Sequence, residues 1–290
     1  LLDCAFAPAL ALWVSRAVLA ARSRHNYGFV VLLATVCTGN VLMHAAVTGW
    51  LGQALFVGER LSLYAVLAML VVIAGRIVPG FTESVLRRKG IVAQPRAPRW
   101  VERAVLLAFA LAVLADLLRL PAAVRTVMWL LLAVGLLARM LRWRTGSVLH
   151  EPILWILHAG QLWLVGGSAL LALAAWSSGW PELSAQHALS AGAVGTTVLG
   201  VMTRAALGHS GRALSTGPAI ITAYLFVIAG GLLRVLAPAW PMHYYVPLVS
   251  AAGAAWLLGY AIFAVVYWPI LTGPEVDEAA ARGKRVLRTV

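Results

Sequence analysis

Charged residues are scarce in this chain. They make up 11% of its 290 residues, where a soluble domain has about 25%. A soluble fold of this length would lack the polar side chains to cover its surface, and no long polar stretch is present to fold outside a membrane. Cysteine is scarce too. The only two, Cys4 and Cys37, fall in different hydrophobic runs and at different expected depths, which excludes a disulfide framework. There is no CxxCH element for covalent haem, no CxxC pair, no Walker loop and no GxSxG element. Adjacent histidines and a paired-carboxylate hydrolytic centre are also missing. The chain begins at Leu1, and its first run carries Asp3 early and Arg16 late. That is the reverse of a signal peptide, so the chain is read as part of a longer protein.

What is abundant is apolar. Hydrophobic residues reach 62% and mean hydropathy is +0.88. Nine apolar runs follow one another, at 3–21, 27–49, 61–82, 100–118, 122–142, 152–176, 183–207, 217–237 and 243–271. Each is long enough to cross a hydrocarbon core as a helix, which takes about 20 residues. Helices are expected because lipid offers the backbone no hydrogen-bond partners. The expected fold is therefore an all-α polytopic bundle of about nine spans, a transmembrane domain over 1–272 with a charged tail over 273–290.

The formal charge of +13 does not mark a nucleic-acid binder. Sixteen of the 23 basic residues cluster in loops on one side, four lie on the other, and three sit in or near spans. That is the positive-inside pattern. It places the C-terminus in the cytoplasm and residue 1 outside. Trp50, Trp176, Trp180 and Trp240 suit an outer aromatic belt, and Trp100 and Trp143 an inner one.

Polar groups within spans carry the functional signal, because each is costly there. Cys37, Asn40, His44 and Thr48 follow at steps of 3, 4 and 4, one stripe on the second span. It serves either as a ligand or ion path or as hydrogen-bonding glue between helices. On the seventh span, Ala191 and Gly195 lie beneath His187, beside a row of Ser184, Ala188 and Gly192. Small rows admit a neighbouring helix or leave room for a flat macrocycle with the imidazole as axial ligand. Spacing does not separate these readings. His158 lies about two turns into the sixth span, with Gln161 one turn further on. Arg76 precedes Pro79, and Arg204, His209 and Arg212 surround a Gly- and Ser-containing turn that suits an anion.

Taken together, these elements resemble the NnrS family. The likeness rests on Asn40-x-x-x-His44, Gly75-Arg76-x-x-Pro79-x-Phe81-Thr82, Leu157-His158 after Glu151-Pro152, His187 followed by Gly192 and Gly195, and above all the stretch from Val201 to Arg212. Ser210 stands where the family pattern has threonine, which keeps the hydroxyl. The resemblance implies a bacterial inner-membrane protein that holds haem and copper and acts in nitric oxide metabolism or nitrosative stress. It also implies about twelve spans in the complete protein. Metal and haem ligands are then expected among His187, His158, His44 and His209, with Arg76, Arg204 and Arg212 serving haem carboxylates. The histidines fall in two layers, His44, His187 and His243 outward and His158 and His209 inward. Two rival readings stay open: a secondary transporter or metal or haem exporter, for which the Gly166-Gly167 and Gly230-Gly231 pairs are hints, and an assembly scaffold. Whether the protein is an enzyme, and what its protein partners are, the residues do not say.

Overall fold

The computed structural model describes residues 3–22, 26–52, 54–177 and 179–276. The histidine at 25, the basic residue at 24 and most of the charged tail, from 277 on, lie outside the described residues. Within them the chain is helical, and no strand forms.

Nine helical rods correspond to the nine apolar runs among the described residues. They are α1 (Asp3–Ala20), α2 (Tyr27–Val47), α3 (Ala54–Arg88), α4 (Arg99–Leu117), α5 (Ala122–Leu141), α6 (Pro152–Trp176), a composite rod, α9 (Pro218–Leu236) and α10 (Tyr245–Thr272). The composite rod consists of α7 (Glu182–His187), a π-helical segment (Ala188–Val194) and α8 (Gly195–His209). Six rods are long and apolar enough to cross a membrane. Pro152 and Pro218 open α6 and α9, where their missing N–H is no loss.

Short connections make sequential rods antiparallel neighbours. Those starting at Ala54, Ala122, Glu182 and Tyr245 begin at one end of the bundle, here the upper end. Those starting at Arg99, Pro152 and Pro218 begin at the lower end. α6 is the centre, in contact with α3, α5, the whole composite rod and the 3-10 turn at Thr145–Val148. More than half of its apolar window is buried, against 6% for α2. The α1–α2 pair is peripheral. α2 meets α3 where Gly39 and Gly58 face each other, and a Cβ on Gly58 would stand 2.7 Å from the Gly39 carbonyl oxygen.

Two hydrophobic clusters stack along the bundle. The upper one joins Tyr64, Leu67 and Val71 of α3 to Trp129 of α5, Leu164 and Leu171 of α6, and Leu189. The lower one joins Val78 and Val85 of α3 to Trp143, Ile153, Ile156 and Leu157, with Tyr224 and Tyr267. α3 extends beyond its predicted run at both ends, so Arg60 falls inside the helix. Arg60 and Arg139, both near the ends of apolar runs, are 6% and 1% exposed. Buried partners keep both within the bundle.

Candidate functional site

The polar side chains form two layers, one at each end of the bundle.

In the lower layer, α6 presents His158 and Gln161 one turn apart, both buried. His158 is held from two sides. Thr145 Oγ1 lies 2.9 Å from Nδ1, and Thr82 Oγ1 lies 3.3 Å from Nε2. The single hydroxyl proton of Thr82 goes to the Val78 carbonyl at 2.9 Å. Its oxygen must therefore accept from His158, which assigns the proton to Nε2 and leaves Nδ1 to accept from Thr145. Both ring nitrogens are engaged. Trp143 meets the imidazole edge-on at 5.9 Å. Gln161 Oε1 accepts from Arg139 Nη2 at 2.9 Å, and Arg139 Nη1 donates to the Val71 carbonyl at 3.0 Å and faces Glu102 at 3.5 Å. A Cβ on Gly75 would meet this guanidinium at 2.9 Å; glycine there makes room for the network. Sequence reasoning overlooked Glu102 and Arg139. Their signal was visible, since an ionisable residue inside an apolar run needs a partner.

His209 closes α8 and lines a cavity of about 450 Å³ between α8 and α10. Its walls include Met202, Phe263, Ile270 and Leu271, with Ser210 and Glu275 as polar members. Beyond α10 the chain returns to this turn, where the Val276 N–H donates to the Ser210 carbonyl at 3.2 Å. Arg212 lies beside Gly273 on the same rim, and its Nη1 is buried without a partner. Arg204 points elsewhere. Its guanidinium stacks on the Phe81 ring of α3 at 3.6 Å. Arg76 is exposed and faces Phe29 of α2 at 5.8 Å. The three arginines expected to act together thus face three different neighbours.

In the upper layer, Arg60 binds Glu182, lies 3.6 Å from Asp116 and has Gln186 beside it. Tyr64 donates to Asp116 at 2.6 Å, and Arg125 stands 3.5 Å from the other carboxylate oxygen. This network draws on α3, α4, α5 and α7. It fastens the first turn of α7, and the residue after Gln186 is His187. His187 is half-buried, its Nε2 is buried with no hydrogen-bond partner, and Arg234 of α9 is its charged neighbour.

The π segment begins directly after His187. Its extra residue per turn breaks the straight small-residue face read from sequence. Gly192 and Gly195 are buried, as the packing of a central helix requires, but indoles take the space beside them. A Cβ on Gly192 would meet Trp163 at 2.5 Å, and one on Gly195 would meet Trp256 at 2.7 Å. Trp256 and Tyr260 of α10 donate to the carbonyls of Ala191 and Gly195 at 3.4 and 2.9 Å. Cavities of about 370 and 580 Å³ flank Trp256, and Ala191 lines both.

His44 sits half-buried at the upper end of α2, where Thr48 Oγ1 donates to its carbonyl at 2.9 Å. His243 is exposed, its ring tilted against that of Tyr244. Both cysteines are free. Among the described residues, no three His, Cys, Asp or Glu side chains converge to hold a metal.

A family model described as NnrS protein matches residues 1–275. Comparison with curated proteins and with solved structures finds no match.

Proposed function

Since this chain belongs to the NnrS family, we propose that it holds haem and copper in a bacterial inner membrane. Its role there is in nitric oxide metabolism or nitrosative stress. The C-terminus is cytoplasmic in this reading, following the basic loops.

The observation that carries the reading is His187 Nε2, a buried imidazole nitrogen without a partner. Buried polar atoms are normally bonded, and neutral imidazole is the commonest side-chain metal ligand. His187 is therefore the first candidate ligand of the upper layer. In the lower layer, the apolar cavity between α8 and α10 offers His209 as a ligand and Arg212 as the partner of a carboxylate. His158 fits less well. Both its nitrogens are engaged, and it would ligate only by giving up a threonine. Among the described residues fewer than three His, Cys, Asp or Glu side chains converge anywhere, so copper at His187 or His44 would take further donors from thioethers, hydroxyls or exogenous ligands.

When bound, haem supplies an iron whose potential and access depend on axial ligand and surroundings. The chain's own contribution is positional. The Arg60–Glu182 pair and Gln186 fix the turn that precedes His187. The indoles of Trp163 and Trp256 fill the space beside Gly192 and Gly195 on the face beneath it.

An optical spectrum and metal analysis of the purified protein test this reading. His187→Ala and His209→Ala should each lower haem or copper per folded protein while thermal unfolding stays close to that of the parent. A protein free of both cofactors after expression with haem and copper supplied, or one whose stoichiometry ignores both substitutions, would overturn it.

A further inference from the structure

Arg204 is left over by this assignment. It lies more than one turn inside the lower end of α8 and is 9% exposed. Its flat side covers Phe81, and its Nη1 is buried with no partner. Its charged neighbour is another cation, Arg88 of α3.

The carboxylates at the lower end of the bundle are already engaged. Glu83 pairs with Arg87 at 3.2 Å and Arg96 at 3.5 Å, Glu151 with Lys89 at 3.1 Å, and Glu102 with Arg139 at 3.5 Å. Glu275 belongs to the rim of the His209 cavity. Among the described residues, no acid reaches Arg204. An uncompensated buried guanidinium in or near a bilayer is expensive. An anion from outside the protein removes that cost.

We propose that Arg204, backed by Phe81 and rimmed by Arg88, binds the phosphodiester of an anionic phospholipid. Three features select this ligand. The planar fork of arginine matches two phosphate oxygens at once. Arg88, at the exposed end of α3, adds a second positive charge at headgroup depth. The site lies at the end of the bundle where basic loops gather, and basic pockets between helices at that depth suit anionic headgroups. The inference does not depend on the cofactor reading, because Arg204 faces α3 and not the cavity beside His209.

The test uses the full chain, purified in neutral detergent. Its thermal unfolding is recorded with added phosphatidylglycerol, with phosphatidylcholine, and with inorganic phosphate. Ligand binding to the folded state raises the midpoint. Phosphatidylglycerol should raise it by several degrees, and phosphatidylcholine should not. Arg204→Gln should abolish the shift, and Arg99→Gln, at the exposed start of α4, should retain it. Native mass spectrometry should find bound phosphatidylglycerol on the parent and less on Arg204→Gln. Should Arg204→Gln fail to fold, Arg88→Gln at the exposed rim must weaken the shift instead. Equal shifts in all variants, or an equal shift from inorganic phosphate, would overturn the lipid site. So would loss of haem from Arg204→Gln with phosphatidylglycerol binding unchanged, which would assign the guanidinium to a haem carboxylate.

Discussion

At the scale of single residues, hydrogen-bond partners rather than burial set the proposed ligand His187 apart from His158. His158 is the most enclosed of the candidates, yet its ring has no nitrogen to spare. Replacing it with alanine removes two hydrogen bonds and strands the Thr145 hydroxyl, while Thr82 keeps its bond to the Val78 carbonyl. A buried group left unsatisfied costs about 1–3 kcal/mol. His158→Ala should therefore lower thermal stability by a few kcal/mol, with cofactor content per folded protein unchanged, and calorimetry beside haem analysis checks both. His187→Ala should do the opposite, since its Nε2 has no protein partner to lose. Histidine in a span was legible from sequence. The distinction between these two was not, because Thr82 and Thr145 come from other parts of the chain.

At the scale of elements, the composite rod is the one that departs most from a regular pattern. A straight helix would carry His187, Ala191 and Gly195 on one line. The π segment shifts that register, and α10 answers with two donors aimed at its carbonyls. Deleting one residue within Ala188–Val194 should restore a regular helix and turn His187 by about 100° relative to Gly195. Haem or copper bound through His187 should then be lost, while the far-ultraviolet spectrum stays helical. Intact cofactor content would place the ligand elsewhere. Helix positions were readable from hydropathy, because a long apolar run has one good solution in lipid. The one-residue register change was not, because the indoles packed against it, Trp163 and Trp256, come from two other helices.

The upper ion-pair network belongs to the same scale. Arg60 ties α3 to α4 and α7 through Asp116 and Glu182. Arg60→Met would leave Asp116 buried with Arg125 as its remaining cation and Tyr64 as its hydrogen-bond donor. Breaking a buried pair costs about 3–5 kcal/mol; Glu182 is 41% exposed and can rehydrate, so the lower end of that range is expected. Thermal unfolding of Arg60→Met measures the loss, and the double variant Arg60→Met with Asp116→Asn should recover part of it. Its members were each visible as charges near span ends. Their meeting was not, since Arg60 and Glu182 stand 122 residues apart.

At the scale of the whole molecule, topology remains the property most exposed to a direct test. A reporter fused after Val290 should read cytoplasmic, and one placed between Ser177 and Glu182 should read periplasmic. Two fusions reporting the same side would end the nine-span reading. The contrast between α6 and α2 bears on how this chain tolerates change over generations. More than half of α6 is buried by other helices, and α2 meets α3 across the Gly39–Gly58 crossing, with little of its surface buried. A saturation library of apolar exchanges should therefore return a flat profile along α2, interrupted by a sharp dip at Gly39. Along α6 the buried positions should resist replacement, and exposed Leu162 and Leu173 should tolerate it. The outer helix is free to drift in sequence as long as it stays greasy, and one glycine records where it docks.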